Sequence, residues 1–170
     1  MQIILMRHGE AANAPSTAFS SDVGSDEARL LTVKGQQQAQ ATAEQIIKTY
    51  QPDLFVVSPL IRAQQTQQQF TKLLIQSSTD LSIKSCADIP VVIYEGIKPE
   101  DDARDALEWL SKQHAECMVV VCHMNIVAYL AGLLTNESPQ SFGLAEARVY
   151  EQVAIGLGFS TEVARFIPQI

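Results

Sequence analysis

The strongest constraint on the fold of this chain is its alternation of short apolar runs with longer helical patterns. Ile3–Met6, Leu54–Val57 and Cys117–Cys122 are apolar at every position and too short for a helix. Such a run reads as a strand buried on both faces, and helices must then cover both sides of the sheet. Val91-Val92-Ile93-Tyr94 adds a further strand. Strands separated by helices predict an α/β fold. It is a three-layer sandwich whose mostly parallel sheet has helices on both faces and right-handed crossovers.

The connecting segments carry their own signals. Thr32 is placed to cap a helix running through Tyr50, which Gln51-Pro52 ends. Ser58-Pro59 opens a second helix, with Ser58 as its cap, Pro59 in a first turn that tolerates proline and Thr66 as a packing residue. Asp101 to Gln113 is amphipathic, with Leu107 and Leu110 on its buried side, and a fourth helix runs from near His123 through Leu134. The glutamine-rich stretches Gln36–Gln40 and Gln64–Gln69 read as solvated helix faces, and residues 10–30 read as a long loop without period. In the tail, Ala145–Ala154 and Phe159–Phe166 flank Gly156-Leu157-Gly158, the signal of an antiparallel hairpin at one sheet edge. No repeat or linker interrupts the pattern, so we expect a single domain over residues 1–170.

Composition narrows the function classes. With 46% hydrophobic and 18% charged residues the chain is globular in type. A net charge of −7 provides no general basic surface, which argues against a nucleic-acid partner and requires any anion site to be built locally. The apolar start Met1–Met6 is too short for a signal peptide or a membrane span. Cys86, Cys117 and Cys122 are odd in number and lack paired metal-ligand spacing, which suits reduced thiols. The expectation is a cytoplasmic, monomeric protein with no membrane association, no metal and no cofactor.

Ligands of such sheets bind beyond the carboxyl ends of the strands. Arg7 and His8 follow the first strand, Ser58 through Arg62 follow the second, and His123 follows Cys117–Cys122. Two arginines and two histidines at three strand ends suit a tetrahedral dianion, since guanidinium forks bind phosphate bidentately. Helix N-termini after Ser58 and at His123 would add oriented N–H groups.

These residues carry a family resemblance. Arg7-His8-Gly9 after an N-terminal strand, Leu31-Thr32-Val33-Lys34-Gly35 followed by Gln38-Ala39, Ser58-Pro59-Leu60-Ile61-Arg62-Ala63-Gln64-Gln65-Thr66, and Val121-Cys122-His123 resemble, in order, the motifs of the histidine phosphatase superfamily, with its phosphoglycerate-mutase-like fold. The short length and the start Arg7-His8-Gly9-Glu10-Ala11 are most similar to the SixA-type phosphohistidine phosphatases. The resemblance implies that His8 is a nucleophile forming a phospho-His8 intermediate, with Arg7, Arg62 and His123 holding the phosphoryl oxygens. His123 can serve there only if protonated or donating, and His8 only if its ring stays neutral, as a carbonyl on its other nitrogen would ensure.

Larger members of the family place a glutamate after a mid-chain strand as general acid. Glu95, which directly follows Val91–Tyr94, is the candidate here; Glu100, Asp101 and Asp102 lie nearby and double as helix-start acids. A phosphoimidazole leaving group can be protonated on its own ring near neutral pH, so it needs less help than an alkoxide. The lead expectation is therefore a phosphatase acting on a phosphohistidine-bearing phosphotransfer or signalling domain. The alternatives are a phosphatase for small phosphomonoesters, such as sugar or nucleotide phosphates, and a non-catalytic phosphoprotein-binding module. Cys122 reads as a core residue, His114 as solvent-facing, Trp109 as a core or interface aromatic, and Arg29 as a solvated loop residue; Asn13 is left outside the site.

Overall fold

The computed structural model describes residues 1–13, 24–77 and 89–169. Its elements, in chain order, are β1 (Gln2–Arg7), α1 (Gly24–Glu27), α2 (Val33–Thr49), β2 (Leu54–Val57), α3 (Ile61–Ser77), β3 (Val91–Ile93), a 3-10 turn (Glu95–Ile97), α4 (Ala103–Ser111), β4 (Cys117–Cys122), α5 (Ile126–Thr135), β5 (Ala147–Glu151) and β6 (Thr161–Phe166). The six strands form one sheet in the order β3-β2-β4-β1-β5-β6. β1 pairs with β4, β4 with β2 and β2 with β3, all in parallel. β5 adds antiparallel to β1 and β6 antiparallel to β5, so the expected hairpin extends the sheet past its first strand.

The apolar runs supply both faces of the sheet because successive side chains alternate. Ile3, Leu5, Leu54, Val56, Met118, Val120 and Cys122 meet α4 and α5 on one side. Ile4, Met6, Phe55, Val57, Cys117, Val119 and Val121 meet α2 and α3 on the other. Each large side chain sealed in this way contributes roughly 1.5–3 kcal/mol. Cys122 is fully buried in the core, as its place on β4 predicts. β3 is one of the two outer strands, and Val91 and Ile93 are about half exposed.

Several local expectations change. α2 starts where Thr32 predicts, with its hydroxyl accepting from the Gly35 N–H. α3 begins at Ile61, not at Pro59: the Ala63 and Gln64 N–H groups both donate to the Leu60 carbonyl, so the helical bonds start from Leu60. Within residues 10–30, Gly24–Glu27 forms one helical turn, and Ala11 bridges Leu31. Cys86 lies outside the described residues.

The glutamines are not simply solvated. Gln38, Gln67 and Gln69 are buried. Gln38 Oε1 accepts from the Glu10 N–H at 2.9 Å, and Gln65 Oε1 accepts from the Leu31 N–H at 2.7 Å. Side-chain amides here replace water as partners of loop backbone that passes over the helices.

The segment after β1 runs against the start of α2 at very short range. A Cβ on Gly9 would lie 2.3 Å from the Gly35 carbonyl oxygen, and one on Gly35 would lie 2.0 Å from the Glu10 carbonyl oxygen. Both positions need glycine for backbone approach, which accounts physically for two glycines of the family-like motifs.

Candidate active site

Parallel pairing brings the strand ends to one level. Arg7 lies opposite Cys122 and Val57 opposite Val121, so His8, Ser58 and His123 each sit one residue beyond matched positions. The ladder continues through them: the His8 N–H donates to the Cys122 carbonyl and the Ser58 N–H to the Val121 carbonyl, both at 3.0 Å. The two imidazoles face each other with centroids 5.1 Å apart. They line a cavity of about 380 Å³ together with Arg7, Glu10, Ala11, Asp26, Arg29, Arg62, Pro99, Met124 and Leu144.

His8 is held in one tautomer. Its Nδ1 lies 2.6 Å from the Gly9 carbonyl oxygen, which can only accept, so the proton is on Nδ1 and Nε2 keeps its lone pair. Thr66 Oγ1 accepts from the Gly9 N–H at 3.2 Å, which ties this turn to α3. Burial, opposed by the Gly9 hydrogen bond and reinforced by Arg62 and Arg7, lowers the His8 pKa to about 4. At neutral pH the ring is uncharged, as nucleophilic attack requires.

The arginines are engaged in ways the sequence does not reveal. Arg62 Nε donates to His8 Nε2 at 3.3 Å. Its Nη1 donates to the Asp26 carbonyl at 2.7 Å and its Nη2 to the Asp26 carboxylate at 3.0 Å. The fork expected to face a free anion is thus turned to an internal one. Arg7 Nη1 donates to the Phe142 carbonyl at 2.7 Å, so the segment before β5 braces the site from the far side of β1. Burial lowers the Arg7 pKa and the buried Glu146 carboxylate raises it. Arg29, expected to be merely solvated, lines the cavity; its Nε donates to the Ala12 carbonyl and its Nη1 pairs with Asp26. No local signal in the sequence distinguishes it from any other loop arginine.

Among the described residues, three buried side-chain polar atoms lack a partner: Arg7 Nε, His123 Nδ1 and Gln152 Nε2. Two of the three belong to residues lining this cavity. Unpaired buried polar groups are costly, and a phosphoryl oxygen would satisfy both. Burial lowers the His123 pKa, with His8 and Arg62 adding to the effect, so this ring too is neutral.

The structure does not bring Glu95 to the site. It lies on the exposed 3-10 turn, paired with Lys98 at 2.7 Å, and is absent from the cavity lining. Following a strand put it in the right region of the sequence, but the turn directs it to solvent. Glu100, Asp101 and Asp102 line a separate and larger groove of about 780 Å³ with Tyr129 and Glu137, and Asp102 caps α4. Among the described residues, the carboxylates that do line the cavity are Glu10 and Asp26. Glu10 accepts from the Thr32 hydroxyl at 2.8 Å. The hydrogen bond from Arg29, followed by the Arg62 charge, keeps the Asp26 pKa low against partial burial. Asp26 is ionised at neutral pH and has no proton to give. His114 is exposed, and Trp109 stacks on Tyr94 with centroids 3.9 Å apart.

Comparison with known proteins fits this geometry. Residues 3–85 match the sequence model of the histidine phosphatase superfamily (branch 1). No curated protein matches the chain. Among solved structures, the protein histidine phosphatase SixA complexed with tungstate is similar with a TM-score of 0.77 at 23% identity, covering 99% of this chain and 97% of that one. A phosphoserine phosphatase from Entamoeba histolytica, in complex with 3-phosphoglyceric acid, reaches 0.64 at 18% identity, with 99% and 98% covered. A mycobacterial hydrolase reaches 0.62 at 15% identity, with 98% and 95% covered. At these identities the likeness establishes the fold, and the family model together with the phosphatases among the neighbours supports a phosphatase. No helix among the described residues is long and apolar enough to cross a membrane. Residues 3–85 thus resemble the histidine phosphatase superfamily in sequence, and the chain over nearly its whole length shares the fold of the SixA structure.

Proposed function

We propose that this protein is a phosphohistidine phosphatase, removing phosphate from a histidine of a phosphotransfer or signalling domain through a phospho-His8 intermediate. The observation that carries the proposal is the state of His8. Its ring is neutral, and its proton stays on Nδ1 and is donated to the Gly9 carbonyl. Its Nε2, reached by the Arg62 Nε–H, lies in an arginine-lined cavity where, of the carboxylates among the described residues, Asp26 is held ionised and Glu10 accepts from the Thr32 hydroxyl.

His8 Nε2 attacks phosphorus in line, and the P–N bond to the substrate imidazole breaks. With its distal nitrogen protonated, that imidazole departs as a neutral ring and needs no acid from the enzyme. Water then attacks phospho-His8, releasing inorganic phosphate and restoring the ring. Arg7 and His123, whose unpaired buried nitrogens await a partner, hold equatorial oxygens where charge gathers in the transition state. Arg62 leaves the His8 lone pair as the phosphoryl group arrives and turns the same Nε–H to an oxygen.

The test is to incubate the protein with a phosphohistidine-bearing carrier domain and with a panel of phosphomonoesters, alongside His8→Ala. Turnover of phosphohistidine above the esters, lost in the variant, is expected. Faster turnover of esters would move the protein to the small-molecule class. Stoichiometric binding of the carrier without turnover would make it a binding module.

A further inference from the structure

Ser58 does not line the cavity, yet it controls what His123 can offer there. Ser58 Oγ lies 2.7 Å from His123 Nε2 and accepts from the Leu60 N–H at 3.4 Å. Ser58 is fully buried. A hydroxyl has one proton to donate, and the Leu60 N–H cannot receive it. Among the described residues, the acceptor within reach of that proton is therefore the Nε2 lone pair of His123. The reverse assignment, with Nε2–H donating to Ser58, would strand the hydroxyl proton in the core and turn a bare lone pair toward any bound anion.

We propose that Ser58 is a positioning residue that donates to His123 Nε2 and holds the imidazole as the neutral tautomer protonated on Nδ1, the buried nitrogen left free for a phosphoryl oxygen. Only the last clause rests on the phosphatase reading; the tautomer itself does not. The arrangement answers a requirement of the site. Arg7, Arg29 and Arg62 already supply fixed positive charge around His8, and a third-party cation beside the nucleophile is not needed. What the cavity wall needs is a directed donor, and a neutral imidazole provides one when its tautomer is set from behind. The two histidines are then set in the same sense: each has its proton on Nδ1, His8 through the Gly9 carbonyl and His123 through the Ser58 hydroxyl. The consequences differ. His8 presents a lone pair, and His123 presents an N–H.

The test uses the full chain labelled with 15N-histidine, and long-range 1H–15N spectra at neutral pH without ligand, with His114→Gln used to assign signals. A His123 signature of protonated Nδ1 and bare Nε2 is expected; protonated Nε2 in the native protein would overturn the proposal without recourse to any variant. In Ser58→Ala the tautomer preference should be lost. Turnover of a phosphohistidine carrier should fall roughly 10- to 100-fold, mostly in kcat, the range seen when the support of a functional imidazole is removed. Ser58→Thr, which keeps the hydroxyl, should retain the native signature. Thermal melts establish that each variant is folded. An unchanged tautomer and unchanged turnover in a folded Ser58→Ala would also overturn the assignment. If the native protein turns over no phosphorylated substrate, the phosphatase reading fails, while the spectra still decide the role of Ser58.

Discussion

The floor and the rim of the cavity are built on different principles. The floor consists of His8 and His123, with Ser58 behind His123; each is one residue past a parallel strand, nearly inaccessible, and tied through the backbone ladder or the turn after it. The rim consists of Glu10, Asp26 and Arg29, on the segment between β1 and α2, where the Asp26 side chain is 56% exposed. The floor fixes tautomers and distances before any ligand arrives. The rim fixes charge, and it does so by exchangeable side-chain pairs. Chemistry that depends on orientation belongs to the floor, and selection of the incoming anion belongs to the rim.

Substitutions should separate the two. His8→Ala removes the floor's lone pair, and phosphatase activity should fall at least about 10⁴-fold, read by phosphate release. Retention of activity would mean that the rim or water does the chemistry. Gly35→Ala strains the junction of floor and rim, since its Cβ would meet the Glu10 carbonyl two residues after His8; a stability loss of about 1–3 kcal/mol is expected in denaturant melts, with activity falling alongside.

The floor also sets a pH dependence. The folded-state pKa values of His8 and His123 are both depressed below the ordinary 6.5, to about 4 for His8. The unfolded chain therefore binds more protons as acid is added. The contribution of these rings to stability is complete above pH 6.5, declines as pH falls from there toward about 4, and continues to fall as His123 titrates. Melts across this range should show the decline, and His8→Ala should make it shallower.

Rim changes should be milder and can have the opposite sign. Asp26 holds the Arg62 fork that an anion would compete for, so Asp26→Asn should tighten inorganic phosphate binding about two- to fivefold by titration calorimetry, the scale of a partly exposed ion pair. Weaker binding would show that Asp26 serves to orient Arg62 and not to compete for it. Smallest of all, Glu95→Gln lies outside both floor and rim and should leave turnover within about twofold, as for an exposed surface pair. A large loss would return Glu95 to the site.

Much of this was legible in the chain itself. Runs such as Cys117–Cys122, apolar at every position, admit a buried parallel strand and little else, and they place Arg7, His8, Ser58 and His123 at strand ends. That is local information, carried by side-chain pattern and backbone period. Glu95 shows the limit of such reasoning: its position after a strand is local, but its direction depends on a turn and a lysine three residues on. Arg29, Gln38 and Gln65 show the same limit from the other side, since each gains its role only where distant backbone comes within hydrogen-bond reach.

Sequence alone therefore determined which residue types meet at the carboxyl edge of the sheet, because hydrophobic patterning dictates strands and strands dictate their ends. Tertiary structure alone decided their states. The Arg7 fork is braced by Phe142, 135 positions away, and the His123 ring is held by Ser58, 65 positions away. Protonation site, orientation and availability are properties of hydrogen-bond partners, and partners this far apart are joined only when the sheet has closed around them.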